Sequence, residues 1–121
     1  MRALIVDGAN VVGSRPDGWW RDRAGAAGRL WERLAATDLP HDEVVLVLEG
    51  VARKGVPAGR DGRVLTVHAA GSGDDAIVEV AHARASEGWD VTVVTADRGL
   101  QARVEAVEAT AVGPSWLLDR L

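Results

Sequence analysis

Apolar residues fall in short unbroken runs along the chain: Ala3-Leu4-Ile5-Val6, Val44-Val45-Leu46-Val47-Leu48, Val64-Leu65-Thr66-Val67 and Val91-Thr92-Val93-Val94. Such runs suit strands buried on both faces by helices rather than strands with one wet face. They predict strands over residues 2–7, 43–49, about 63–68 and about 90–95, with a short fifth over about 109–112. Between them the apolar period lengthens. Trp20, Ala24, Ala27, Trp31 and Leu34 recur on one face of a helix over about 19–36, which Asp17 is placed to cap. Further helices are expected over about 74–87, stopped by Gly88, over about 98–107, and from Pro114, a favoured first-turn residue. Residues 8–18 and the Gly- and Pro-rich residues 50–62 read as loops, the second of them mobile. Strands and helices alternate throughout, so the expected architecture is α/β: a three-layer, doubly wound domain about a parallel sheet of about five strands.

The chain of 121 residues is enough for one domain, 1–121, and too little for two. It contains no Cys, which removes disulfides, thiolate metal sites and a cysteine nucleophile. No apolar run approaches a membrane span, and the first strand starts without a charged-then-apolar leader, so a cytoplasmic protein with no membrane partner is expected. The net charge of −4 argues against a general nucleic-acid coat protein. It leaves room for local basic clusters: Arg53, Lys54, Arg60 and Arg63 beside one loop, and Arg15, Arg21 and Arg23 after the first strand.

The placement of acids changes the picture most. Asp7 ends the first strand, Glu49 ends the second, Asp74 and Asp75 open the helix after the third, and Asp97 follows the fourth. In a parallel α/β sheet these positions share the carboxyl edge, where ligands bind. Each acid has a structural explanation of its own. Asp7 or Asn10 can bond the turn backbone, Asp74 and Asp75 favour a helix N-terminus, Ser72 with Asp75 resembles a capping box, and Asp97 can be an N-cap. Together they predict a repulsive acidic pocket that a cation would neutralise. Oxygen ligands without His or Cys spacing suit Mg²⁺ or Mn²⁺, which can activate water and stabilise charge on a phosphoryl oxygen, singly or in pairs. Helical spacing does not decide between Asp74 and Asp75. Thr95, two residues before Asp97, is placed to bond a ligand or a bound water.

Other chemistries fit less well. His41, His68 and His82 do not form a metal motif, no P-loop is present, and Gly8 to Gly13 is not the dinucleotide fingerprint. A phosphoacceptor domain would need an acidic pair after the first strand and a Lys after the fifth, where Gly113-Pro114 stands. A haloacid-type phosphatase would need an acid at position 9, which is Ala.

Three segments in order resemble one family. Asp7-Gly8-Ala9-Asn10-Val11-Val12 resembles the opening motif of NYN domains, especially their YacP-like branch, within the PIN-like nuclease superfamily. Gly73-Asp74-Asp75-Ala76-Ile77-Val78-Glu79 is similar to the branch's second acidic motif, and Val94-Thr95-Ala96-Asp97-Arg98-Gly99-Leu100-Gln101 to its strand-four motif. Ala109 through Leu118 resembles its closing strand and helix. Ala9 stands where the family often has an aromatic, and Glu49 where it often has Asp. The resemblance implies strand order 3-2-1-4-5 and a Mg²⁺- or Mn²⁺-dependent ribonuclease site with one or two ions. Asp7, Asp97, Asp74 or Asp75, and Glu49 would bind metal, assisted by Asn10. Arg53, Lys54 and Arg60 are assigned to the RNA backbone, with Arg15, Thr95 and Arg98 as further substrate contacts. Trp19 is a candidate for stacking on a base. A non-catalytic nucleic-acid or nucleotide binding module of the same fold is the alternative, and pairing of two protomers, frequent among PIN-like proteins, is a further expectation.

Overall fold

The computed structural model describes all residues, Met1–Leu121. Its strands are β1 (Arg2–Asp7), β2 (Glu43–Leu48), β3 (Gly59–Asp61), β4 (Val64–His68), β5 (Asp90–Val94) and β6 (Thr110–Val112). Its helices are α1 (Gly8–Gly13), α2 (Arg23–Ala36), α3 (Gly73–Ser86), α4 (Arg98–Ala106) and α5 (Pro114–Leu118), with 3-10 segments at Trp19–Arg21 and Gly50–Gly55. The sheet order is β3-β4-β2-β1-β5-β6, parallel everywhere except for β3, which runs antiparallel to β4. Without β3 this is the expected 3-2-1-4-5 order. β3 is three exposed residues with no apolar member, so nothing in its own sequence marks it as a strand.

Period-two alternation divides each central strand between two cores. Leu4, Val6, Leu46, Leu48 and Val94 pack with Ala27, Leu30, Leu34 and Leu117, under α2 and α5. Ala3, Ile5, Val45, Val47, Val91 and Val93 pack with Ile77, Ala81, Leu100 and Val104, under α3 and α4. Asp7 and Glu49 continue the second set along β1 and β2, and Thr95 continues it along β5. The alternation therefore carries Asp7, Glu49 and Thr95 to the α3 side of the carboxyl edge. From β1 the chain adds β2 and β4 on one side, then β5 and β6 on the other, so the crevice between β1 and β5 is a topological switch point.

Three local expectations need correction. The helix expected over 19–36 breaks at Asp22, whose φ of −151° is not helical. Asp22 Oδ1 accepts from the Gly25 N–H at 2.9 Å and caps α2, whereas Asp17 accepts only from the Trp19 N–H. Trp20, placed before the break, is 51% exposed and leaves the core face to Ala26, Ala27, Leu30 and Leu34. Residues 8–13, read as loop, form a short helix capped by Asp7. Residues 50–62 are not a free loop: the 3-10 segment packs against α2, and β3 pairs with β4.

The packing of that 3-10 segment depends on Gly55. A methyl group there would run into the backbone of Ala24 in α2. Neither backbone can yield cheaply, so Gly55→Ala should destabilise the protein by about 1–3 kcal/mol, read as a lower denaturation midpoint at unchanged slope.

Candidate functional site at the carboxyl edge

Asp7 is the centre of the site. Its carboxyl caps α1, with Oδ1 accepting from the Asn10 N–H at 3.3 Å, while Oδ2 accepts from the Thr95 hydroxyl at 2.9 Å. The residue is only 6% exposed. Burial pushes its pKa above the ordinary carboxylate value; the bonds from Thr95 and Asn10 oppose that shift, and the charges of Asp74 and Glu49 add to it. The α1 turn needs a glycine beside Asp7, because a Cβ on Gly8 would lie 2.7 Å from the Val47 carbonyl oxygen. This close approach seats α1 on β2 and fixes where Asp7 points.

Asn10 and Thr95 join the two sides of the switch point. Asn10 Oδ1 accepts from the Ala96 N–H at 2.8 Å. Thr95 is fully buried, and its hydroxyl oxygen also accepts from the Asp97 N–H at 3.2 Å. Asp97 caps α4, its Oδ1 accepting from the Leu100 N–H at 3.0 Å. Gln101, to which sequence reasoning gave no role, donates from Nε2 to the Thr95 carbonyl at 2.8 Å. Its signals were its place at the end of the strand-four motif and its position one turn after Asp97.

Glu49 extends past β2 toward the start of α3, with Oε1 3.1 Å from where a Cβ on Gly73 would lie. Ser72 caps α3 by accepting from the Asp74 N–H. The helix turns its two acids different ways. Asp74 is half-buried and acts on Asp7 through its charge, whereas Asp75 is exposed and accepts from Arg103 of α4 at 2.9 Å. The charges of Glu49 and Asp74 thus act on Asp7, Asp97 adjoins Asp7 through Thr95, and Asp75 points to the α3–α4 surface. The four ion pairs of the molecule engage Glu43, Asp38 and Asp75, so no basic side chain neutralises Asp7, Glu49, Asp74 or Asp97. No three acidic or histidine side chains are grouped tightly enough to hold one ion together in this arrangement.

Among the basic residues, Arg60 is a correction. It pairs with Glu43 at 2.6 Å, and Glu43 opens β2 at the level of Ala3, four residues below the level of Asp7. At about 3.3 Å per residue that is about 13 Å along the strands. The antiparallel return through β3 carries Arg60 to the far edge of the sheet. Arg53 is tied down, donating to the Gly50 and Ala69 carbonyls. Lys54 and Arg98 are exposed and lack ion-pair partners, Arg98 directly beside Asp97. Arg15 is exposed in a groove behind α1. The histidines stay outside the site: His68 bonds the Val56 carbonyl, His41 is buried against Trp116, and His82 lies on the exposed side of α3.

No helix is long and apolar enough to cross a membrane. No family model matches the chain, and no curated protein does. Among solved structures the chain is similar to Rae1 (YacP) from Bacillus subtilis, crystallised as a point mutant, with a TM-score of 0.78 and 22% identity over 98% of this chain and 74% of that one. The two proteins share a fold: the chain has a YacP-like α/β architecture with a mostly parallel six-stranded sheet.

Proposed function

We propose that the chain is a metal-dependent ribonuclease of the NYN, YacP-like type, hydrolysing RNA phosphodiester bonds at the carboxyl edge. The observation that carries this reading is the buried Asp7 carboxylate, faced by Asp74 and Glu49 and neutralised by no basic side chain. Like charges gathered in a partly dry site cost free energy that a bound divalent cation would offset. The donors are all oxygen, which fits Mg²⁺ or Mn²⁺. The acids are not grouped around one point without an ion, so Asp7, Asp74 and Glu49 would have to turn inward to hold one or two ions, with Asp97 and Asn10 at the margin. The ion, when bound, supplies positive charge beside a phosphoryl oxygen and lowers the cost of attack by water.

The chain's own groups would position the reaction. The Thr95 hydroxyl holds Asp7 Oδ2 in one orientation, and Gln101 steadies the Thr95 backbone. Asn10, bonded across to Ala96, keeps the mouth of α1 against the end of β5. Arg98 and Lys54 are free cations for phosphates on either side of the bond being cut. The likeness in fold to Rae1 (YacP) supports the reading.

Cleavage of end-labelled single-stranded RNA with Mn²⁺, Mg²⁺ or EDTA tests it. Cutting that needs the metal and falls at least about tenfold in Asp97→Asn is expected. No cutting under any condition, with binding of RNA retained, would leave a nucleic-acid binding module of the same fold. The same assay separates the neighbouring acids. Asp74→Asn should lose most activity, while Asp75→Asn should stay within about twofold of wild type, because an exposed ion pair such as Asp75–Arg103 contributes only about 0–1 kcal/mol.

A further inference from the structure

Two hollows flank α1, and Val12 lines both. The first has a volume of about 260 Å³ and adjoins the acids through Gly8 and Glu49. Its walls include Trp19 and Arg23, whose guanidinium carbon lies 5.4 Å from the Trp19 ring centroid. Ligand pockets for drug-sized molecules run roughly 300–1,000 Å³. The hollow is smaller and has one aromatic ring, Trp19, in its lining, a size suited to a single planar ring system.

The second hollow, of about 220 Å³, lies between α1 and α2 with Val11, Leu30 and Leu118 in its floor. Arg15, Arg29 and Arg33 line it. Arg29 and Arg33 stand one turn apart on α2, and none of the three enters an ion pair. Arg33 makes a single long bond, 3.4 Å, to the Leu121 carbonyl. The one acid at this groove is Asp17, whose Oδ1 is engaged by the Trp19 N–H. In a chain with a net charge of −4, three arginines lining one groove against a single acid, and none of them in an ion pair, form a local anion-binding surface.

We infer that the two hollows form one track for single-stranded RNA leaving the acidic edge: the Trp19–Arg23 hollow takes an unstacked base next to the scissile bond, and Arg15, Arg29 and Arg33 hold the phosphates beyond it. The inference rests on the proposed nuclease reading and adds the side of the molecule on which the strand runs. The continuity is physical, since α1 begins at the Asp7 cap and its Val12 separates the hollows. Aromatic and guanidinium planes accept any base, so the track would bind with little sequence preference. Its salt dependence would come from the arginines.

The test is binding of a labelled single-stranded RNA in EDTA, so that the strand stays whole, to wild type, Arg29→Gln/Arg33→Gln and Trp19→Leu across a salt series. Arg29 and Arg33 are exposed and Gln suits a helix, so the double variant should fold normally. Removing two phosphate contacts should lower the slope of log affinity against log salt by about 1.4. Trp19→Leu should weaken binding about tenfold at every salt concentration without changing the slope. Wild-type slope and affinity in Arg29→Gln/Arg33→Gln, in a protein that does bind and cut RNA, would overturn the track alone. A wild-type protein that neither binds nor cuts RNA would overturn the track together with the nuclease reading.

Discussion

Asp7→Asn is expected to remove metal-dependent cleavage without weakening the metal-free fold. The loss should be at least about a hundredfold, since even outer-shell partners of metal ligands cost 10–100-fold and Asp7 stands at the centre of the acids. Stability should move the other way. Burial, with Asp74 and Glu49 nearby, raises the Asp7 pKa above its ordinary value of 3.8. Between that value and the raised one, the folded protein binds more protons than the unfolded chain. Stability therefore falls as pH rises through that window, and at neutral pH the ionised carboxylate is a net cost. Asn removes the charge and keeps an oxygen for the Asn10 N–H, while the Thr95 hydroxyl can turn to accept from the amide. The melting temperature in EDTA should be equal to or above that of wild type, and any rise on adding Mn²⁺ should vanish. A fall of several degrees in EDTA would mean that Asp7 serves the fold as a helix cap and is not strained for function. Opposed effects on activity and stability are the mark of a charge kept for chemistry.

The second large effect lies at the opposite edge of the sheet. Glu43 is 4% exposed, yet its two oxygens accept from Arg84 at 2.8 and 3.3 Å and from Arg60 at 2.6 Å. Burial alone would raise its pKa, but the hydrogen bonds and charges of the two arginines outweigh burial and hold it below the ordinary 4.5. The triad ties β3 and α3 to the start of β2, and Arg84 lies over the Trp89 ring. Glu43→Ala would strand the Arg84 guanidinium, only 21% exposed, while the 51% exposed Arg60 keeps access to water. Removing one partner of such a buried group costs about 3 kcal/mol, which in a domain of this size lowers the melting temperature by on the order of 10 °C. The depressed pKa gives the sign with pH. The Glu43 contribution is fully present above 4.5 and is lost as pH falls through its lower folded value. Wild type should therefore lose stability below that point more steeply than Glu43→Ala does. Cleavage per folded molecule should be unchanged, because the triad lies well away from Asp7 along the strands.

These two acids also mark what was legible in the chain. Asp7 announced itself because β1 is an unbroken apolar run and a parallel sheet sends every such run to one edge. The same logic carried Glu49 and Thr95 to the α3 side once the alternation of Ile5, Val47 and Val93 was known. Glu43 gave no such signal, since its partners come from residues 60 and 84 and meet only in the folded sheet. The choice between Asp74 and Asp75 was likewise closed to periodicity: the rotation of α3 is revealed by Arg103, on another helix. β3 and the direction of Arg60 depend on pairing with β4, and three exposed polar and glycine residues carry no local preference for it. The break at Asp22 is local, but a Trp at position 20 in phase with α2 concealed it.

The most direct test is the rate of RNA cleavage as a function of Mn²⁺ concentration, for wild type and Asp7→Asn prepared side by side. Saturable, EDTA-reversible cutting by wild type, with none above background in the variant at any Mn²⁺ concentration, is the predicted result. Equal rates in the two proteins, or a wild-type rate indifferent to Mn²⁺ and EDTA, would contradict a metal-dependent nuclease centred on Asp7.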